Sequence, residues 1–167
     1  MLEERLAALE SRLSRVEDEL AITRLIAAYG PLVDAGAAQA VAELWTEDGE
    51  YDVEGWHMRD RSQIHAMVES PAHQSLIAAG SAHFLGPVHV TVHGDAAEAV
   101  CESLLVRHRD GRFSVWRAGA NHFRLARTAS GWRIDRRVTR ALDGSEHARS
   151  LLRATADGAA EEPPTAP

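Results

Sequence analysis

The stretch from Ser81 to Arg140 constrains the fold of this chain most. Three turn signals, His93-Gly94-Asp95, Asp110-Gly111 and Ser130-Gly131, cut it into four long strand-like runs covering 82–92, 97–109, 113–127 and 132–140. Such glycine-bearing signals supply the positive φ that tight hairpins need, so consecutive runs are predicted to pair antiparallel as a meander. A sheet of that length has an apolar face that another layer must cover.

The amino-terminal part supplies that layer. Leu2, Leu6, Leu9, Leu13, Val16 and Leu20 are spaced alternately four and three residues apart between Glu and Arg, an a/d seam on a helix. The periodicity continues through Ile22, Leu25, Ile26 and Tyr29 to Leu32 and Val33. An unbroken helix to Ala35 would be about 50 Å long at 1.5 Å per residue, more than a domain this size spans. Residues 1–20 are therefore expected to form an amphipathic extension that packs on another subunit or along an outer face, with a bend at Gly30-Pro31. A short second helix is expected from Ala37 to Leu44, a first strand at 50–53, and a third helix at 63–70, capped by Ser62 and stopped by Pro71. Ser145 is placed to cap a last short helix ending near Arg153, and the small, acidic, proline-rich segment 154–167 is expected to be disordered. These elements predict an α+β domain over 21–153, a curled antiparallel sheet enclosing a pocket closed by helices.

Composition removes several function classes. All 18 basic residues are arginine against 25 acidic ones, net charge -7, the wrong sign for a broad nucleic-acid surface. Without lysine there is no lysine Schiff base and no P-loop lysine. The single Cys101 cannot make an internal disulfide or a multi-cysteine zinc site. No apolar run approaches a membrane span and the N-terminus is charged from Glu3, so a cytoplasmic location without membrane contact is expected. His89 and His93 share a strand face, as a two-histidine metal site would require, but no third ligand has suitable spacing, and neither metal nor cofactor is expected.

Polar residues among inward apolar ones mark a ligand cavity. His83 opens a strand in the setting Ala82-His83-Phe84-Leu85-Gly86, where an imidazole needs a hydrogen-bond partner. Alternation puts His108 with Leu104 and Val106, the presumed interior face, and Asn121 with Phe123 and Leu125. His57, His65, His73 and His147 are expected at the surface; Arg137 and Arg140 are expected on a solvated strand face, although either could reach an anionic substrate. Trp45, Trp56, Trp116 and Trp132 could serve pocket or core alike.

Together these residues resemble the SnoaL-like group of the nuclear-transport-factor-2-like superfamily over about Leu20 to Leu152. The resemblance implies a cone of curved sheet with three packed helices. The run around His83 is similar to the histidine-bearing strand of scytalone dehydratases, and Val106-Arg107-His108 falls where those enzymes carry a second catalytic histidine. Ala120-Asn121 resembles their substrate-binding asparagine, Tyr51 a carbonyl-polarising tyrosine, and Asp34 the carboxylate that partners the first histidine. Val33 stands where they have a further tyrosine. Tyr29 followed by Asp34 is also similar to bile-acid 7α-dehydratases, and lindane dehydrochlorinases share the aspartate–histidine pair but carry lysine at the Tyr29 position. On this resemblance Asp34 orients His83 as general base, Tyr51 or Tyr29 polarises a carbonyl, His108 protonates a departing hydroxyl, and Asn121 binds substrate. Five residues apart on a straight helix is about 140° of azimuth, so Tyr29 and Asp34 would share a face only if the bend realigned them. The expected function is a cofactor-independent dehydratase-type lyase acting on a cyclic or polycyclic carbonyl compound, of polyketide or steroid type, in a dimer or trimer. The alternatives are a polyketide cyclase or isomerase using the same pair, and a non-catalytic small-molecule-binding protein.

Overall fold

The computed structural model describes residues 1–154, so most of the expected disordered tail, 154–167, lies outside the described residues. Helix α1 runs from Leu2 to Asp34 through Pro31 without a break in the helix. The expected bend does not end the helix at Gly30-Pro31: Pro31 forgoes one backbone donor, while its carbonyl still accepts from the Ala35 amide. Ile22, Ile26, Tyr29, Gly30 and Val33 form the buried stripe, whereas the seam from Leu2 to Leu20 is exposed. The helix is first tied to the domain by Asp18, which accepts from both Arg127 Nη atoms at 2.8 and 2.7 Å and from Trp132 Nε1 at 2.9 Å.

Short helix α2 (Ala38–Ala42) leads into β1 (Trp45–Val53) and β2 (Trp56–Met58), then α3 (Arg61–Glu69) and α4 (Pro71–Ala79). The cap of α3 is Asp60, which accepts from the Gln63 amide at 2.8 Å; Ser62 already lies inside the helix. Pro71 does not merely stop a helix. It opens α4, for which Ser70 supplies the cap, because proline's missing donor costs nothing in a first turn. Strands β3 (Ser81–Leu85), β4 (His89–His93), β5 (Ala96–Arg109), β6 (Arg112–Thr128) and β7 (Gly131–Ala141) follow, and α5 (Glu146–Arg153) starts at Ser145 as expected.

The seven-stranded curved sheet has the order β2-β1-β7-β6-β5-β3, with β4 also on β5. The run expected at 82–92 divides at Gly86-Pro87-Val88, so β3 pairs with the second half of β5 and β4 with the first. The meander is antiparallel, but β1 joins β7 in parallel, a connection the sequence pattern did not anticipate. The main core fills the space between the concave face and α1, α2 and α3, and includes Trp45, Phe123 and Ile134. A smaller cluster on the opposite face packs Ala120 and Val138 under Ala148 and Leu151 of α5. The described residues hold five helices: α4 is the one that the sequence reading did not separate, while α1, α2, α3 and α5 lie close to the segments expected to be helical. No helix among the described residues is long and apolar enough to cross a membrane.

Candidate active site

The site is assembled where the end of α1 meets β3. Gly30 is pressed so close to β3 that a Cβ built there would lie 2.0 Å from the His83 carbonyl oxygen. This contact brings His83 alongside the last turn of α1. Asp34 Oδ1 lies 2.7 Å from His83 Nδ1 and accepts from Ser81 Oγ at 3.1 Å, while Oδ2 accepts from the His83 amide at 2.6 Å. Ring and backbone of one residue are thus held by the two oxygens of one carboxylate. Tyr29 approaches the same imidazole edge-on, with ring centroids 6.3 Å apart. The 140° separation on the helix is no obstacle, because β3 crosses at Gly30 and meets Tyr29 and Asp34 from between them.

With Nδ1 donating to Asp34, the lone pair of His83 sits on Nε2. Burial pushes the imidazole below its ordinary value, opposed by the Asp34 hydrogen bond and charge; His73 and Arg137 push it further down. The ring is therefore neutral near pH 7, as a base must be. Burial also holds the Tyr29 proton on, so its hydroxyl is a donor. Cys101, raised by burial to about 11, remains a thiol and is no nucleophile.

His83 lines a cavity of about 600 Å³ together with Tyr29, Tyr51, His73, Leu105 and Arg137. Arg137 was not expected here. It stands beside Tyr51 on β1 and Phe123 on β6 in one cross-strand row, and is 3% exposed. Its guanidinium lies 4.3 Å from the Tyr29 ring centre, 4.6 Å from that of Tyr51 and 5.2 Å from that of Phe123. Nε and Nη2 donate to Asn121 Oδ1 at 3.2 and 2.8 Å, but Nη1 finds no acceptor among the described residues. Aromatic faces and one amide oxygen stabilise this cation in place of a carboxylate.

Two expected site residues change role. Asn121 is fully buried and shares the face of Phe123 and Leu125, as anticipated. Its amide nitrogen donates to Cys101 O and Ser103 Oγ, and its oxygen also accepts from Thr139. Its oxygen holds Arg137, its nitrogen is taken by Cys101 and Ser103, and it stands behind the cavity lining. His108 is off the cavity wall. It stacks on Phe113 at 4.8 Å and packs near Gly80, because the inward residues of β5 are the odd ones: Ala97, Ala99, Cys101, Ser103, Leu105 and Arg107. Leu104, Leu105 and Val106 are all apolar, so alternation could be read in either phase, and the inward set proves to be the other one. His73, expected at the surface, lines the cavity with its ring 5.6 Å from that of His83. Trp45 and Trp132 are core, while Trp56 and Trp116, more than half exposed, flank the cavity mouth.

Residues 14–138 match the model of the SnoaL-like domain. The chain belongs to the SnoaL-like family. Its fold is that of a nuclear-transport-factor-2-like protein with a cystatin-like fold from Novosphingobium aromaticivorans, 48% identical, with a TM-score of 0.86 over 88% of this chain and 96% of that one. A candidate aromatic ring hydroxylase from the same organism is 28% identical, with a TM-score of 0.64 over 76% and 90% of the two chains. Aln2 from a Streptomyces species, 17% identical, shares the fold with a TM-score of 0.68 over 76% and 92%. No curated protein matches the chain. SnoaL-like proteins include cyclases and isomerases, and this member has a cavity of small-molecule size.

Proposed function

We propose that the protein is a lyase that eliminates water from a cyclic or polycyclic β-hydroxy carbonyl compound. The observation that carries this reading is the Asp34–His83 pair at 2.7 Å, opening on a cavity in which Arg137 Nη1 has no acceptor among the described residues. His83 Nε2 takes the proton α to the carbonyl, and Asp34 stabilises the imidazolium that results, a contribution of about 10² to 10⁴ in rate. The carbonyl oxygen gains charge as the C–H bond breaks, and the Tyr51 and Tyr29 hydroxyls with Arg137 Nη1 are the donors available to receive it. Collapse of the enolate expels the β-hydroxyl, which takes the proton from His83 Nε2 and leaves as water, returning His83 to its starting state. One imidazole serving both steps on one face of the substrate removes the need for His108. His73, close beside it, pushes the His83 imidazole further down.

Incubation with a panel of β-hydroxy ketones of one to four fused rings, followed by mass spectrometry, tests the reading. Loss of one water with wild-type protein and none with His83→Asn is the expected result. A product of unchanged mass with a new ring or a moved double bond would assign the chain instead to the cyclases or isomerases, which begin from the same enolate. No product and no exchange of α-hydrogens in deuterated water would leave a binding protein.

A further inference from the structure

The charge of the cavity wall runs against that of the protein. The chain carries 25 acidic residues against 18 arginines, and on β6 and β7 four arginines take carboxylate partners: Arg124 with Asp135, Arg127 with Asp18, Arg136 with Glu50 and Arg140 with Asp52. The three arginines lining the cavity, Arg107, Arg117 and Arg137, have no carboxylate within ion-pair distance among the described residues. The single acid in the lining, Glu54, is exposed at the β1–β2 turn, and Asp34 behind the ring is committed to His83 and Ser81.

Arg137 is at the buried end with Tyr29 and Tyr51; the other two are nearer solvent. Arg117 is paired across the sheet with Leu105, and Arg107 lies two residues beyond Leu105 on the same face of β5. The register shift between Leu105 and Val106 makes Trp116 the extra residue of β6, and its ring lies 4.9 Å from the Arg107 guanidinium. A guanidinium over an aromatic ring keeps its N–H groups available, and their fork suits a flat oxyanion bound in a bidentate way. Trp56 and Trp116 supply apolar surface beside it. A wall with this much uncompensated positive charge suits a negative group, and the described residues do not provide one.

We infer that the cavity selects an organic acid: a ring compound whose anionic group is held by Arg107 and Arg117 at the mouth while its carbonyl reaches Arg137 and His83. This inference rests on the lyase reading for the role of the buried end, but the anion site is testable without turnover. Two fluorescent probes of nearly equal shape, 8-anilino-1-naphthalenesulfonate and the uncharged N-phenyl-1-naphthylamine, differ by the sulfonate alone. Wild-type protein is expected to bind the sulfonate at least about tenfold tighter, the scale of one hydrogen-bonded charge. The Arg107→Met/Arg117→Met double variant should lose that preference while binding the neutral probe within about twofold, and should retain the wild-type circular dichroism. If the double variant does not fold, Arg107→Gln and Arg117→Gln singly should each lower the preference. His83→Asn should keep it, and wild-type protein with the preference but no elimination would refute the lyase and leave the anion site standing. Comparing 2-naphthoate with 2-naphthyl phosphate separates a carboxylate from a phosphate. Equal affinity for the charged and neutral probes, or a preference that survives in the double variant, overturns the inference.

Discussion

Gly30→Ala is the substitution for which local and tertiary effects point in opposite directions. In an exposed helix interior, alanine for glycine stabilises by about 1 kcal/mol through helix propensity. Here the new Cβ would fall 2.0 Å from the His83 carbonyl oxygen and 3.3 Å from its carbon, both of them backbone atoms. Contact distances require β3 to retreat by at least about 1 Å. Overpacking of this kind costs about 1–3 kcal/mol, and both the 2.6 Å amide contact and the 2.7 Å ring contact with Asp34 lie on the strand that must move. The net effect is destabilisation of up to about 2 kcal/mol, or up to roughly 8 °C in melting temperature for a domain of this length. A 1 Å displacement of the base should lower turnover about 10²-fold. Thermal melts and the elimination assay read the two effects. A variant as stable as wild type, with an unchanged His83 ring signal in the NMR spectrum, would refute the claim that close approach of α1 and β3 builds the site.

Asp34→Asn should lower turnover by about 10² to 10⁴ and shift the His83 titration, followed by NMR, further down, because the carboxylate is the main group raising it. His108→Ala should leave turnover within a few-fold; a loss as large as that of His83→Asn would restore the role the sequence resemblance gave it. Stability should fall as the pH drops from about 6.5 toward 5. Burial depresses His83 and His122 in the folded state, so the unfolded chain binds more protons in that window, and urea denaturation at pH 8 and pH 5 measures the difference. The exposed Leu2–Leu20 seam is proposed to join copies of this chain in a dimer or trimer, so Leu6→Glu with Leu13→Glu should reduce the mass seen by light scattering without changing the melting of the domain.

What could be read in advance was local chemistry with one answer. Asp110-Gly111 announces a hairpin because both residues adopt positive φ, and the β5–β6 pair forms around it. Ser145 is a cap and becomes one. What failed was local chemistry with two answers. Pro71 ends one helix and begins the next equally well, and Leu104-Leu105-Val106 permits either phase of β5, which is how His108 was assigned inward.

Arg137 was missed for a different reason. Alternation states correctly that Arg137 shares a face with Thr139 on β7, but the bulge at Asp135 interrupts the pattern before it, an arginine on a strand face is usually solvated, and nothing within ten residues says that this face is enclosed. Enclosure comes from Tyr29 on α1 and Tyr51 on β1, more than eighty residues earlier in the chain. Asp34 and His83, 49 residues apart at a helix end and a strand start, could be paired beforehand only through the family resemblance; locally, the sequence says no more than that a histidine in an apolar strand needs a partner. An arginine does not look unsatisfied until its surroundings are known. The residue that gives the cavity its charge is therefore the one whose role depends most on the tertiary fold.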